Sequence, residues 1–459
     1  MRPRPRRGSL GPQPPSGRIR MSGSNERHLD AFWMPFTANR WYRNAPRLIT
    51  EASGVRYRDE AGRELFDFAS GLWCVNAGHC HPRIVAAIQE QAGKLDYAMS
   101  FQLGHPEVFR LAERLAELGP PGLDRVFFCN SGSESVDTAL KIALAWHRQR
   151  GHAGRTRLIG RVRGYHGVGF GGISVGGIGN NRRQYPVQLP GTDHLPHTHA
   201  PAQMGFSRGQ PEWGAHLADA LDDLVALHGP ETIAAVIVEP VAGSAGVLVP
   251  PVGYLERLRE RCTAHGILLI FDEVITAFGR IGHLFGSQRF DVVPDIICCA
   301  KGLTNGAVPM GAVLVRRELF DDFMEGPELA IELAHGYTYS GHPLATAAAH
   351  ATLDVYAEED LFTHARGLEQ QFEDRLHGLK QRAAITDIRN IGLMGALDLE
   401  PVAGEPSRRG ITLFEKAFEA GLVVRTAGDT LALCPPLVTQ PDELDMMFDR
   451  LEQALVALP

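Results

Sequence analysis

The chain has 459 residues, 44% of them hydrophobic and 22% charged, an ordinary balance for a soluble globular protein of two or three domains. A formal net charge of -7 leaves no basic footprint for nucleic acid, and no stretch has the length and apolarity of a membrane span. Seven cysteines, an odd number without Cys-x-x-Cys, fit a reducing compartment rather than a disulfide framework, so a cytoplasmic location is expected.

Met1 to Arg20 is rich in Arg, Pro and Gly, with no acidic residue and no hydrophobic region of a secretory signal. It reads as a disordered tail, 1–25, with Met21 as an alternative start. From about Arg125, short apolar runs alternate with helical patterns, which predicts an α/β protein with a largely parallel sheet. The predicted strands are Arg125–Cys129, Arg157–Val162, Ile233–Val238, Leu268–Asp272, Asp295–Cys299 and Gly311–Val315. Between them, Val136, Ala139, Leu140, Ala143 and Leu144 predict a helix ending before Gly151, and Leu255, Leu258 and Cys262 one ending before Gly266. Residues 184–210, rich in Pro, His and Gly, carry no clear element and read as an excursion over a site or an interface. After Pro343 an alanine-rich helix leads into a C-terminal region. There Ile385–Ile388, Gly395–Leu399, Leu422–Arg425 and Thr430–Cys434 are the predicted strands of a smaller α+β domain.

Lys301 is the only charge between Asp295 and Arg316, and it follows the apolar run Ile296-Ile297-Cys298-Cys299-Ala300. Burial there disfavours the ammonium form and lowers the pKa, which suits a lysine to imine chemistry. Upstream, Leu268-Leu269-Ile270-Phe271 ends in Asp272 and Glu273. A buried lysine and a strand-end carboxylate together point to a pyridoxal phosphate (PLP) site, with Lys301 as the Schiff-base lysine and Asp272 facing the pyridinium nitrogen. Asn130-Ser131-Gly132-Ser133-Glu134 follows a strand and opens a helix, where amide groups and the helix dipole favour a phosphate. Ser131-x-x-Glu134 also fits an ordinary capping box. Glu239 ends another apolar strand, at the edge where open α/β sheets bind ligands.

Other features have two readings. Tyr165, in Gly164-Tyr165-His166-Gly167, either stacks on a cofactor ring or is a core tyrosine. Arg425 either holds a substrate carboxylate by two parallel hydrogen bonds or is a surface residue. Gly167-x-Gly169-x-x-Gly172 matches a dinucleotide fingerprint, with Asp193 at a plausible distance. The Gly- and Asn-rich segment between them lacks the apolar period of a βαβ helix, so it reads as a flexible loop. Cys74, His79, Cys80 and His81, and then His194, His197 and His199, imitate metal sites, but neither cluster has a matched second pair of ligands. No metal is expected.

Taken in order, these residues resemble the class III PLP-dependent aminotransferases of the type I PLP fold, and within them the omega-amino acid (β-alanine):pyruvate group. The resemblance runs from Trp33-Met34-Pro35-Phe36-Thr37-Ala38-Asn39-Arg40 to beyond Pro435-Pro436-Leu437. It is carried most specifically by Gly71-Leu72-Trp73-Cys74-Val75-Asn76-Ala77-Gly78-His79, Asp272-Glu273-Val274-Ile275-Thr276-Ala277-Phe278-Gly279-Arg280 and His335-Gly336-Tyr337-Thr338-Tyr339-Ser340. It implies a large PLP-binding domain over 71–342 with a mostly parallel seven-stranded sheet, and a small α+β domain over 343–459 to which 26–70 contributes. Lys301 and Asp272 are then catalytic. Tyr165 and Val274 cover the two ring faces, with His166 also at the cofactor, and Glu239 lies near the ring hydroxyl. Ser131, Gly132 and Ser133 hold the phosphate, helped by Thr338 from the partner in a homodimer or homotetramer. Trp73 lines the substrate pocket, and Arg425 binds the keto acid. Ala277 departs from the family's usual glycine. The implied reaction is ping-pong transamination from an ω-amino donor such as β-alanine to pyruvate. Other donors (taurine, γ-aminobutyrate, a diamine, an aryl amine), a class III decarboxylase or aminomutase, and a noncatalytic or nucleotide-binding α/β protein are the alternatives.

Overall fold

The structure, a computed structural model, describes residues 29–382 and 384–458, so the tail expected at 1–25 lies outside it. The chain divides into two compact units after Leu48. In the first, a short helix spans Asn39–Asn44, and the Arg47 guanidinium lies 4.1 Å over the Trp41 ring.

The second unit is built on a seven-stranded sheet in the order Arg125–Cys129, Gly311–Val315, Ile296–Cys299, Leu268–Asp272, Ile233–Val238, Arg157–Arg161, Thr192–Leu195. Only Gly311–Val315 runs against its neighbours. Every residue of Ile233–Val238, Leu268–Asp272, Ile296–Cys299 and Gly311–Val315 is buried. A sheet covered on both faces needs unbroken apolar strands, which is why these runs stand out in the sequence. The helix Gly132–Gln149 buries Val136, Ala139, Leu140 and Ala143, and the chain leaves it through Gly151 at φ +80°. The helix Tyr254–Ala264 buries Leu255, Leu258 and Cys262, and the alanine-rich helix spans Pro343–Glu358. Among the described residues no helix is long and apolar enough to cross a membrane.

Two smaller sheets complete the unit. One joins Ile49–Ser53, Arg56–Asp59 and Glu64–Asp67 to Leu422–Val423, the last pair being parallel. The other is antiparallel, in the order Ile385–Ile391, Met394–Leu399, Thr430–Leu433, Arg425–Ala427.

The structure corrects three expectations. Residues 184–210 are not without an element: Thr192–Leu195 is the seventh strand of the large sheet, paired on one side only. An edge strand needs one neighbour and tolerates polar residues, so Thr-Asp-His-Leu gives no apolar signal. The predicted strand Leu422–Arg425 is two strands in different sheets, with Val424 between them. The glycine-rich segment after Gly167 is no flexible loop, because Phe170–Val175 is a short helix with five buried residues. Its glycines serve close packing: a Cβ on Gly171 would stand 2.6 Å from an Asp137 oxygen, and one on Gly172 would collide with the His166 carbonyl oxygen.

Gly172→Ala should therefore destabilise the apoprotein by about 1–3 kcal/mol, as overpacked substitutions do. Gly93→Ala, on an exposed helix position with nothing within 4 Å of the new Cβ, should be neutral or slightly stabilising. Thermal unfolding of the two variants side by side checks both.

Candidate active site

Five strands that share one direction deliver the site from their carboxyl ends, where α/β sheets place ligands. Ser131 to Ser133 follow Arg125–Cys129, Tyr165 and His166 follow Arg157–Arg161, and Glu239 follows Ile233–Val238. Asp272 closes Leu268–Asp272, and Lys301 comes just after Ile296–Cys299. Gly132, Ser133, Tyr165, His166, Glu239, Asp272, Val274 and Lys301 line one cavity, with Gly167 and Ile275, enclosing about 540 Å³ including the part open to solvent.

The buried Asp272 carboxylate is held from two sides. One oxygen lies 2.8 Å from His166 Nδ1, and the other accepts from the Val274 N–H at 3.1 Å. Among the described residues the other ring nitrogen of His166, the buried Nε2, meets no hydrogen-bond partner. Glu239 accepts from the Tyr165 N–H at 2.9 Å. Burial pushes its carboxyl up to about 7, opposed by His166 and reinforced by Asp272. Burial also lowers the Lys301 amine from its ordinary value, against the pull of Asp272, Cys74 and Glu239. Burial, Asp272 and Glu239 raise the Tyr165 phenol.

The backbone at Lys301 is left-handed, φ +44°, a strained state for a residue with a side chain. Its neighbours fix it there. Tyr356 donates to the Gly302 carbonyl at 2.6 Å, Asn305 bridges Ala77 and Gly78, and Asn76 donates to the Phe278 carbonyl at 2.6 Å. Buried Arg280 reaches Asn76 and the Pro435 carbonyl.

At the helix start Ser131 is the N-cap residue. The Ser131 hydroxyl accepts from the Glu134 N–H at 3.2 Å while the Glu134 carboxylate takes the Asn130 N–H at 2.7 Å, an ordinary cap. Gly132 and Ser133 nonetheless line the cavity, with first-turn N–H groups that have no partner inside the helix. A Cβ on Gly132 would stand 2.7 Å from Val274, and one on Gly167 would stand 2.5 Å from Ser133 Oγ. Glycine is what lets these segments meet.

Among the described residues no hydrogen bond or ion pair joins Trp73, Arg425 or Thr338 to this cluster. Trp73 is buried at φ +65°, in a turn whose Ala69 and Gly71 N–H groups bond to Asp67. Arg425 is exposed, opening the strand Arg425–Ala427, close enough to Tyr165 for their charges to interact. Thr338 is exposed, its carbonyl accepting from Tyr97 at 3.0 Å. Ala277 packs into the core, its N–H on the Glu273 carbonyl. Of the histidines in the apparent metal clusters, His79 pairs with Asp67, His81 with Glu359, and His194 with the Gly176 carbonyl. His199 lies near Asp387 and Asp398, but Arg389 already bridges those two carboxylates at 2.8 Å each. Asp193 is paired with Arg157 at 2.6 Å. Gly167 and Ile275 are the cavity residues that sequence reasoning missed; each lies beside a residue it had named.

The Aminotransferase class-III family profile matches residues 37–455, and the chain belongs to that family. It is a PLP-dependent aminotransferase of class III. It is 57% identical to the omega-aminotransferase of Caulobacter vibrioides, over 94% of this chain and 98% of that one. It is 50% identical to the beta-alanine–pyruvate aminotransferase of Pseudomonas aeruginosa, over 94% and 97%. An amine transaminase from an uncultivated Pseudomonas species, solved in its PLP-bound form, superposes with a TM-score of 0.86 at 39% identity, covering 93% of this chain and 99% of that one. The omega transaminase of Pseudomonas jessenii in complex with PMP gives 0.88 at 33% identity, covering 93% and 96%. The cavity's residues fit PLP: a helix start bare of side chain at Gly132, a buried carboxylate, and an amine whose pKa burial has lowered.

The Glu239 proton is held more tightly in the folded chain than at the ordinary 4.5, so this group makes stability fall as pH rises from about 4.5 to about 7. The full loss is up to about 3 kcal/mol for a shift of this size. The urea midpoint of the apoprotein at pH 8, relative to that at pH 5, should therefore be higher in Glu239→Gln than in the wild type.

Proposed function

We propose that this aminotransferase moves the amino group of an ω-amino acid, β-alanine first among candidates, onto pyruvate, leaving an aldehyde or ketone and L-alanine. The name of the beta-alanine–pyruvate aminotransferase described above supports this substrate pair. The observation that carries the site assignment is the single cavity into which Lys301, Asp272, Glu239, Gly132 and Ser133 all open.

When bound, PLP supplies an aldehyde that joins amines and an electron-poor ring that takes up the electrons released as a carbon loses its proton. In our reading the residues divide that work. Lys301 Nζ, less basic through burial, is free to take the proton from the donor's amine-bearing carbon. The Asp272 carboxylate would keep a proton on the ring nitrogen, and His166 orients Asp272 through Nδ1. Tyr165, Val274 and Glu239, which line the cavity, would hold the ring, the first two at its faces and Glu239 toward its hydroxyl. Ser131, Gly132 and Ser133 hold the phosphate, joined by Thr338 of the partner subunit. Trp73 lines the substrate side, and Arg425 takes the keto acid carboxylate by paired hydrogen bonds.

A homodimer or homotetramer with shared sites is supported by exposed Thr338 and by the exposed apolar residues Met99, Phe101, Leu103, Leu329 and Ile331. Seven free cysteines support a cytoplasmic location. We assign 71–342 to the PLP-binding domain and 343–459 to the small domain, joined by 26–70. The parallel pairing of Glu64–Asp67 with Leu422–Val423 supports that last assignment.

A panel of amino donors with pyruvate, scored by alanine formed, tests the substrate pair; failure of β-alanine and every other ω-amino acid would overturn it. Lys301→Ala should abolish the visible absorbance that borohydride bleaches and lower turnover by about 10²–10⁴-fold or more. Arg425→Ala should slow the half-reaction with pyruvate about 10–100-fold, the worth of a charged hydrogen bond, while sparing a carboxylate-free amine. Equal losses in both halves would remove Arg425 from carboxylate binding.

A further inference from the structure

We propose that His335, Thr138 and Tyr337 form a latch that sets the position from which Thr338 meets the cofactor phosphate in a second copy of this chain. The proposal rests on the shared-site reading above. Between the helices Arg317–Phe323 and Pro343–Glu358 the chain has no regular element, and Leu329 and Ile331 are 97% and 77% exposed. Something other than secondary structure must fix residues 335–340.

Thr138 supplies the fixed point. It is fully buried on the helix Gly132–Gln149, and its hydroxyl lies 2.8 Å from His335 Nε2 and 3.2 Å from the Tyr337 hydroxyl. Tyr337 also reaches the Glu134 carbonyl, at 3.4 Å in the helix's first turn. The Phe127 ring stacks on His335, with centroids 5.4 Å apart and planes inclined by 11°. From the opposite side Ser100 donates to the Tyr337 carbonyl at 3.3 Å, and Tyr97 to the Thr338 carbonyl at 3.0 Å. The backbone on both sides of the Thr338 side chain is thus tied down, while residue 338 itself faces out.

The latch stands on the helix whose first residues, Gly132 and Ser133, line this chain's own cavity. One rigid element therefore holds the phosphate end of one site and the segment lent to the other. Neither His335 nor Thr138 lines the cavity, so both are positioning residues that act through Thr338.

The test is a coupling cycle on cofactor affinity. Cofactor-free protein is titrated with PLP and followed by visible absorbance for the wild type, Thr338→Ala, His335→Ala, the double variant and His335→Gln. Thr338→Ala and His335→Ala should each weaken PLP about tenfold, as losing one hydrogen bond to a charged group does. The double variant should be no weaker than Thr338→Ala alone, and His335→Gln, which can still bond to Thr138, should recover most of the affinity. Thr138→Val, nearly the same in volume, repeats the comparison should His335→Ala fail to fold. Unchanged affinity in the latch variants, or the same loss in the Thr338→Ala background as in the wild type, would overturn the latch. Unchanged affinity in Thr338→Ala itself would overturn the shared-site reading, and the latch with it.

Discussion

A carboxyl group buried at the end of a central strand governs this site. Asp272 is buried, so the fold must supply partners, and it supplies two: the His166 imidazole and the Val274 amide. Each demands something further. His166 can sit there only because Gly172 lets the short helix Phe170–Val175 close against its carbonyl. Val274 can turn back only because Gly132 leaves room for its methyl groups. The carboxylate thus explains glycines that a survey of motifs would credit to flexibility.

Burial sets the protonation of its neighbours. Lys301 and Glu239 share the cavity with Asp272, and burial penalises charge on both of these neighbours. The result is an amine that gives up its proton more readily and a carboxyl that keeps one near neutrality, opposite shifts from one cause. The strained backbone at Lys301 fits this picture. A lysine at φ +44° persists because Tyr356, Asn305 and Asn76 over-determine the turn, so the backbone from which the amine hangs is held in place.

Much of this was legible in the sequence, for a definite reason. Strands covered on both faces must be continuously apolar, so a charge that ends such a run is conspicuous, and Glu239, Asp272 and Lys301 were found that way. The edge strand Thr192–Leu195 escaped because its burial comes from one side only. The break at Val424 escaped because a run of apolar residues says nothing about which sheet each residue joins. The Thr138–His335 contact was beyond reach, since it joins residues 197 positions apart through atoms that carry no local pattern. The Gly167 segment was misread because sequence alone does not tell glycine used for freedom from glycine used for contact.

The change of sheet at Val424 separates two kinds of residue. Asp272 and Lys301 hang from interior strands, where any replacement disturbs the packing of a whole layer. Arg425 opens an outermost strand of the small antiparallel sheet, three residues long and half open to water. With Arg425 as the proposed partner of the keto acid, natural drift or laboratory diversification can work at that border without disturbing Asp272 and Lys301, so the set of accepted compounds can change far faster than the chemistry performed on them.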